Sequence, residues 1–149
     1  MRITEGLLPE DKLAIIRWTN SKGADFLQQW AGDALLYPLT IEALNVLSHC
    51  FRIETEGSFI GMIQQIRVEG SNVHIGRFLI NPSLIGKGLG TSAMLLFIAM
   101  LFEDKSVHSI SLNVFDDNPI AKGLYTKLGF EVVATVEGER KKYKMVKTA

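Results

Sequence analysis

The feature that most limits how this chain can fold lies between residues 74 and 102. It is a strand, a glycine loop and an apolar helix, in that order. The stretch opens His-Ile-Gly-Arg-Phe-Leu-Ile-Asn-Pro, in which Ile75, Phe78, Leu79 and Ile80 suit an extended segment and Pro82 ends it by removing a backbone donor. Ser83-Leu84-Ile85 leads into Gly86-Lys87-Gly88-Leu89-Gly90-Thr91, and Ala93 to Phe102 is then uniformly apolar. Alternate glycines free the backbone to curl and let a ligand approach bare N–H groups. A helix starting there adds unpaired donors and the positive end of its dipole, which together make an anion site. The ligand this order predicts carries phosphate.

Three phosphate motifs compete for the loop. The P-loop needs Gly-Lys followed by Ser or Thr, and Lys87 is followed by Gly88, so it fails. The dinucleotide fingerprint Gly-x-Gly-x-x-Gly/Ala is met by Gly88, Gly90 and Ala93, with Asp116 as its distant acid. In that fold, however, the glycines follow the strand closely, whereas here Pro82 to Ile85 intervene. The third motif is a pyrophosphate loop, Gln/Arg-x-x-Gly-x-Gly/Ala, placed after a strand that ends in Asp/Asn-Pro. Asn81-Pro82 and Gly86 to Thr91 match it, with Ile85 standing at the Gln/Arg position. In this respect the chain resembles the Gcn5-related N-acetyltransferase (GNAT) family. A second stretch, Asn113 to Phe130, resembles the same family's signature Asn-x-x-Ala-x-x-x-Tyr-x-x-x-Gly-Phe through Asn118, Ala121, Tyr125, Gly129 and Phe130. The two signatures come in the family's order and cover about half of the chain.

The resemblance implies an acyl-CoA N-acyltransferase fold of the α+β class: a central, mostly antiparallel mixed sheet flanked by helices. It implies acetyl-CoA as co-substrate and direct transfer of acetyl to an amine on a small molecule or peptide. By the same resemblance, Gly86, Lys87, Gly88, Leu89, Gly90 and Thr91 hold the pyrophosphate, and Lys87 offsets the polar side chain missing at Ile85. The strand Phe78-Leu79-Ile80 offers backbone to the thioester, Asn118 meets the pantetheine arm or fixes a helix start, and Tyr125 sits beside the sulfur as general acid. Some relatives carry a Glu five residues before the signature Asn. Asn113 stands there and can hold a relay water but not take a proton.

The chemistry asks for these parts on its own account. An amine attacks a thioester only when neutral, yet free aliphatic amines hold a proton to about pH 10. A base or water chain must remove that proton, and an acid should meet the departing thiolate. The carbonyl oxygen gains charge and needs an N–H donor. His74, Glu69 and Glu131 are further titrating candidates. A non-catalytic acyl-CoA-binding module on the same fold is the competing reading, since both Ile85 and Asn113 depart from the pattern.

Composition narrows the rest. Sixteen basic and sixteen acidic residues balance, which argues against a general nucleic-acid binder. No apolar run is long enough to span a bilayer, so no membrane partner is expected. The chain has a single cysteine, Cys50, which excludes an internal disulfide and suits a reducing cytoplasm. No metal-ligand cluster stands out, and a homodimer is compatible with the pattern. The length of 149 residues predicts one domain.

Hydrophobic spacing predicts a strand over Arg2 to Gly6, then a helix from Pro9 that buries Leu8, Leu13, Ile16 and Trp18. Helices follow over Asp25 to Trp30 and, capped by Thr40, over Ile41 to Leu47. From Phe51 the period changes to two, which predicts an antiparallel meander into the glycine loop. Ser109 to Phe115 is another strand and Asn118-Pro119 another helix start, with Gly129 as its C-cap. Strands over Glu131 to Val136 and Arg140 to Val146 close the chain. His74 reads as a strand-edge side chain and Cys50 as a small buried hydrophobe.

Overall fold

The change of period near residue 50 separates the first three helices from the strands that lead into the glycine loop. In a computed structural model describing residues 1–149, the elements run β1 Arg2–Glu5, α1 Pro9–Lys22, α2 Ala24–Ala31, α3 Ile41–Asn45, β2 Cys50–Thr55, β3 Ser58–Glu69 and β4 Asn72–Ile80. A 3-10 turn over Pro82–Leu84 leads to α4 Leu89–Glu103, followed by β5 Ser109–Phe115, α5 Pro119–Lys127, β6 Glu131–Val136 and β7 Lys142–Thr148. The strands form one seven-stranded sheet in the order β1-β2-β3-β4-β5-β7-β6. The β1–β2, β2–β3, β5–β7 and β6–β7 pairs are antiparallel, and β4–β5 is parallel. The fold is therefore α+β, with a mostly antiparallel mixed sheet.

Two compact units are distinguished, one of residues 1–66 with 76–93 and one of residues 67–75 with 94–149. In the first unit, α1, α2 and the segment after them close over one face of the strands. Ile15, Leu27, Trp30, Leu39 and Leu44 pack with Cys50, Met62 and Leu79 in one buried cluster. Burying that apolar area is the main source of its stability. Trp18 stacks on Phe59 at 5.5 Å, and Thr40 Oγ1 accepts the N–H of Ala43 to start α3.

The buried face of α1 differs from the expected one. Asp11, Ala14, Ile15 and Thr19 are buried, whereas Leu8 and Leu13 lie exposed. An ion pair decides the rotation. Arg52 Nε donates to Asp11 Oδ2 at 2.8 Å and its Nη2 to Asp11 Oδ1 at 3.2 Å, while Nη1 donates to Glu54 Oε2 at 2.9 Å. Asp11 Oδ2 also accepts the N–H of Leu8, so one carboxylate caps α1 and fastens it to β2. A pattern search that treats Asp as a surface residue cannot see this. Two boundaries move as well. The third helix ends at Asn45 rather than Leu47, and the last strand runs from Lys142 to Thr148.

In the second unit, β5, β7 and β6 form a ladder in which Leu112 faces Met145 and Val114 faces Tyr143 across the β5–β7 pair. On α4, Met94, Phe97 and Ile98 are buried. His74 is not an edge residue. It is 4 % exposed, and its Nδ1 lies 2.7 Å from Ser111 Oγ. Ser109 Oγ donates to Asn72 Oδ1 at 2.8 Å, and Asn72 Nδ2 donates to Ser111 Oγ at 2.9 Å. Ser111 Oγ thus joins Asn72 and His74 in one buried polar chain.

Candidate active site

Strand β4 ends where Asn81-Pro82 requires it to. The amide of Asn81 donates to Ile60 O at 2.7 Å, its last tie to the sheet. Its side-chain oxygen then turns forward and accepts both the N–H and the hydroxyl of Ser83 at 3.0 Å. Two residues with positive φ follow, Gly86 at 86° and Gly88 at 75°. This left-handed conformation is reached cheaply only without a Cβ. A Cβ built on either glycine meets nothing within 4 Å, so the loop is an open cradle. The first hydrogen bond of α4 runs from Ser92 N to Gly88 O at 3.1 Å. The N–H groups of Leu89, Gly90 and Thr91 therefore precede the ladder and stay free to bind an anion.

The three glycines are not equivalent. Gly90 has no positive φ, and a Cβ there would make ordinary contacts of 3.8–3.9 Å with Phe78 and Ile80. Backbone conformation requires glycine at 86 and 88 but not at 90. Lys87 is exposed, and Ile85 is 69 % exposed. On the strand, Leu79 is buried in the core, while Phe78 and Ile80 are half-buried. The cradle fits a pyrophosphate, since it offers backbone donors, a helix dipole and space.

Helix α5, in the second unit, explains the other signature in physical terms. Asn118 is its N-cap, and Oδ1 accepts the N–H of Ala121 at 3.3 Å. At the far end, Phe130 N donates to Tyr125 O at 3.0 Å and Gly129 N to Thr126 O at 3.1 Å, with Gly129 at φ 98°. This is the Schellman arrangement, which needs a glycine after the cap and an apolar contact across it. Tyr125 and Phe130 supply that contact, edge to face with centroids 5.9 Å apart. The spacing Tyr-x-x-x-Gly-Phe is thus a helix terminus that fixes its tyrosine. The ring is packed, and burial pushes the phenol up to about 12. The hydroxyl takes no protein hydrogen bond. Asn113 is exposed on β5, opposite Lys144.

Of the further titrating candidates, His74 is withdrawn from proton exchange. Burial pushes its imidazole down to about 4, helped by Arg67 and Lys144. Glu69 pairs with Arg67, and Glu131 is exposed on β6. Cys50 is buried as expected, and its thiol is pushed up to about 11, so it is protonated at neutral pH.

The family model of the acetyltransferase (GNAT) family matches residues 15–130. The chain belongs to the GNAT family. It is accordingly an N-acetyltransferase that uses acetyl-CoA. Solved structures show the same fold at low identity. One is a spermidine N-acetyltransferase chimera from Vibrio cholerae and hSSAT, with 18 % identity, TM-score 0.78, and 99 % of this chain and 96 % of that one covered. Another is the aminoglycoside acetyltransferase AAC(6')-Ib with ribostamycin and coenzyme A, at 23 % identity, TM-score 0.76 and coverage of 99 % and 94 %. A third is the ribosomal-protein-S18-alanine N-acetyltransferase from Escherichia coli, at 18 % identity, TM-score 0.73 and coverage of 99 % and 92 %. No helix of this GNAT chain is long and apolar enough to cross a membrane. The dinucleotide reading of Gly88, Gly90 and Ala93 falls with the family match.

Sequence reasoning passed over two residues of this GNAT chain. Arg77 sits at φ 46° within β4, and its Nη1 donates at 2.7 Å to the side chain of buried Gln64. The available signal was an arginine inside an otherwise apolar strand.

Proposed function

We propose that residues 1–149 act as one N-acetyltransferase domain, in which Gly86 to Thr91 hold the pyrophosphate of acetyl-CoA and Tyr125 is the general acid. The observation that carries this is the pair of positive-φ glycines set before the free amides of a 15-residue helix. The family match supports a single domain because it runs through both units. The lone buried Cys50 supports a reducing, cytoplasmic setting. The segment from Ser21 to Thr40 walls the acceptor pocket.

The reaction assigns a task to each group. Backbone of Phe78, Leu79 and Ile80 orients the thioester and meets the growing charge on its oxygen. The neutral amine attacks the carbonyl carbon, and the C–S bond breaks. The thiolate takes the Tyr125 proton, which solvent later restores. The proton lost by the amine leaves through a water held by Asn113. Asn118 keeps the start of α5 in place beside the pantetheine arm. A phenol near 12 is a weak acid, and the same dry surroundings also raise the departing thiol.

A panel of amines tested for acetyl-CoA-dependent thiol release decides the matter. Release above the hydrolysis rate with at least one amine is expected. Tight acetyl-CoA binding without release from any amine would favour the non-catalytic module, to which exposed Ile85 and non-basic Asn113 point.

A further inference from the structure

The two arginines of the first unit that lie on strands after α1 are built alike up to one difference. Arg52 on β2 gives Nη1 to Glu54 and presents its Nε–Nη2 edge to both oxygens of Asp11. Arg77 on β4 gives Nη1 to Gln64 Oε1, and Gln64 Nε2 is in turn tied to Ser48 O at 2.9 Å. Its Nε–Nη2 edge has no partner. Nε is buried without a hydrogen bond, and Nη2 has neither a protein partner nor complete burial. Arg2, Arg67 and Arg140 each face a carboxylate, and Arg17 is exposed to water. Arg77 alone is withdrawn from water with no counter-charge.

The surroundings of Arg77 confirm the deficit. Burial lowers its pKa, and the one group that opposes this is Cys50, whose thiol is protonated at neutral pH. A guanidinium edge of two parallel N–H groups matches a carboxylate and is much less suited to an amide or a hydroxyl. The residue that follows is Phe78, the first of the three proposed to meet the thioester. The backbone of Arg77 thus adjoins the stretch of β4 proposed to meet the thioester.

We infer that the free Nε–Nη2 edge of Arg77 binds a carboxylate of the acceptor, so that the amine acetylated here belongs to an amino-acid-like molecule carrying both groups. The inference rests on the acetyl-transfer reading above. The carboxylate approaches from Nη2, the end that is not fully buried. A small rotation of the guanidinium, with Nη1 still on Gln64, then brings Nε to its second oxygen. A polycation lacks the group this edge needs and would meet a positive charge instead.

The test has a binding arm and a rate arm. In the first, the protein without acetyl-CoA is titrated at constant ionic strength with N-acetylglycine and, separately, with N-acetylglycinamide. The Arg77 Nε–H resonance is followed, being shielded enough from exchange to be seen. The acid should shift it saturably and the amide should not. Equal responses, or none, would overturn the inference. A shift produced by coenzyme A that the acid cannot add to would assign the edge to the co-substrate and overturn it too. In the second arm, amino acids are compared with their carboxamides in thiol release, with rates referred to the neutral amine. The wild type should favour the acid at least tenfold in kcat/KM. Arg77→Asn, which tolerates positive φ, should bring the ratio near one with the KM for acetyl-CoA unchanged. Arg77→Lys, which keeps the charge but not the fork, should retain only part of the preference. A preference that survives Arg77→Asn would sink the assignment. Should no amine react while the first arm succeeds, acetyl transfer fails and the carboxylate site stands.

Discussion

The two halves of β4 treat polar groups in opposite ways. From Asn72 to Ile75, every polar side chain is closed into a chain of bonds: Ser109 to Asn72, Asn72 to Ser111, Ser111 to His74. From Gly76 to Ile80, the backbone passes through φ 46° at Arg77 and a buried Nε is left bare. An unsatisfied buried donor costs roughly 1–3 kcal/mol, so a fold keeps one only where something else answers it. The closed half serves the sheet. The open half, with the glycine cradle beyond it, holds what a ligand would complete. Changes in the first should therefore appear in stability, and changes in the second in affinity or rate.

The largest effect expected is in the closed half. Burial holds His74 at about 4, below the 6.5 it has when unfolded, so the unfolded chain binds the extra proton. The neutral imidazole's contribution is complete above pH 6.5 and is lost as pH falls toward 4. The sum is about 3 kcal/mol by linkage. Urea unfolding from pH 7 to 4.5 should show this slope in the wild type and a shallower one in His74→Asn, with acetyl-CoA affinity untouched at pH 7. Equal slopes would mean that protonation of His74 is not what lowers stability in this range.

Next in size is Gly88→Val. A branched side chain at φ 75° is strained by roughly 1–2 kcal/mol and fills the cradle, which together should weaken acetyl-CoA binding by about tenfold to a hundredfold. Since the added Cβ meets no neighbour, the protein should stay folded. Calorimetry finding unchanged affinity would remove the phosphate-loop assignment. Gly90→Ala sharpens the point. Without a positive φ or a clash, it should raise stability by roughly 0.5–1 kcal/mol through helix propensity. Any loss of affinity would then come from the ligand's own approach.

Tyr125→Phe removes one oxygen from a helix end that does not depend on it. The Schellman bonds and the Phe130 contact use backbone and ring alone, so the melting temperature should hold. Turnover should fall by about tenfold to a hundredfold as a general acid is lost. A rate within about threefold of wild type, under 1 kcal/mol of barrier, would end the acid assignment. Because the phenol stays protonated to about pH 12, no fall in rate below that pH should trace to Tyr125.

The smallest effect belongs to Ile85→Arg. Ile85 is largely exposed, so stability should change little, and a new charge-assisted bond to phosphate should tighten acetyl-CoA by up to about tenfold at this position. Weaker binding in a folded protein would show that Ile85 serves the cradle in its present form.

By itself, the sequence determined whatever depends on local chemistry. Asn81-Pro82, Gly86, Gly88, Thr40, Asn118 and Gly129 each act within a few residues of themselves, and each appears in the structure as a turn or cap where its type predicts one. The two signatures were legible for the same reason, since a glycine cradle and a Schellman terminus are local constructions. Tertiary structure decided what depends on partners far along the chain. Asp11 is buried because Arg52, 41 residues away, claims it, and that turned α1 off its expected face. His74 is internal because Ser111 receives it, and Arg77 is left bare because nothing stands to its Nε–Nη2 edge as Asp11 stands to that of Arg52. Side chains that carry charge or hydrogen-bonding groups take their burial from such pairings, and spacing along the sequence holds no record of them.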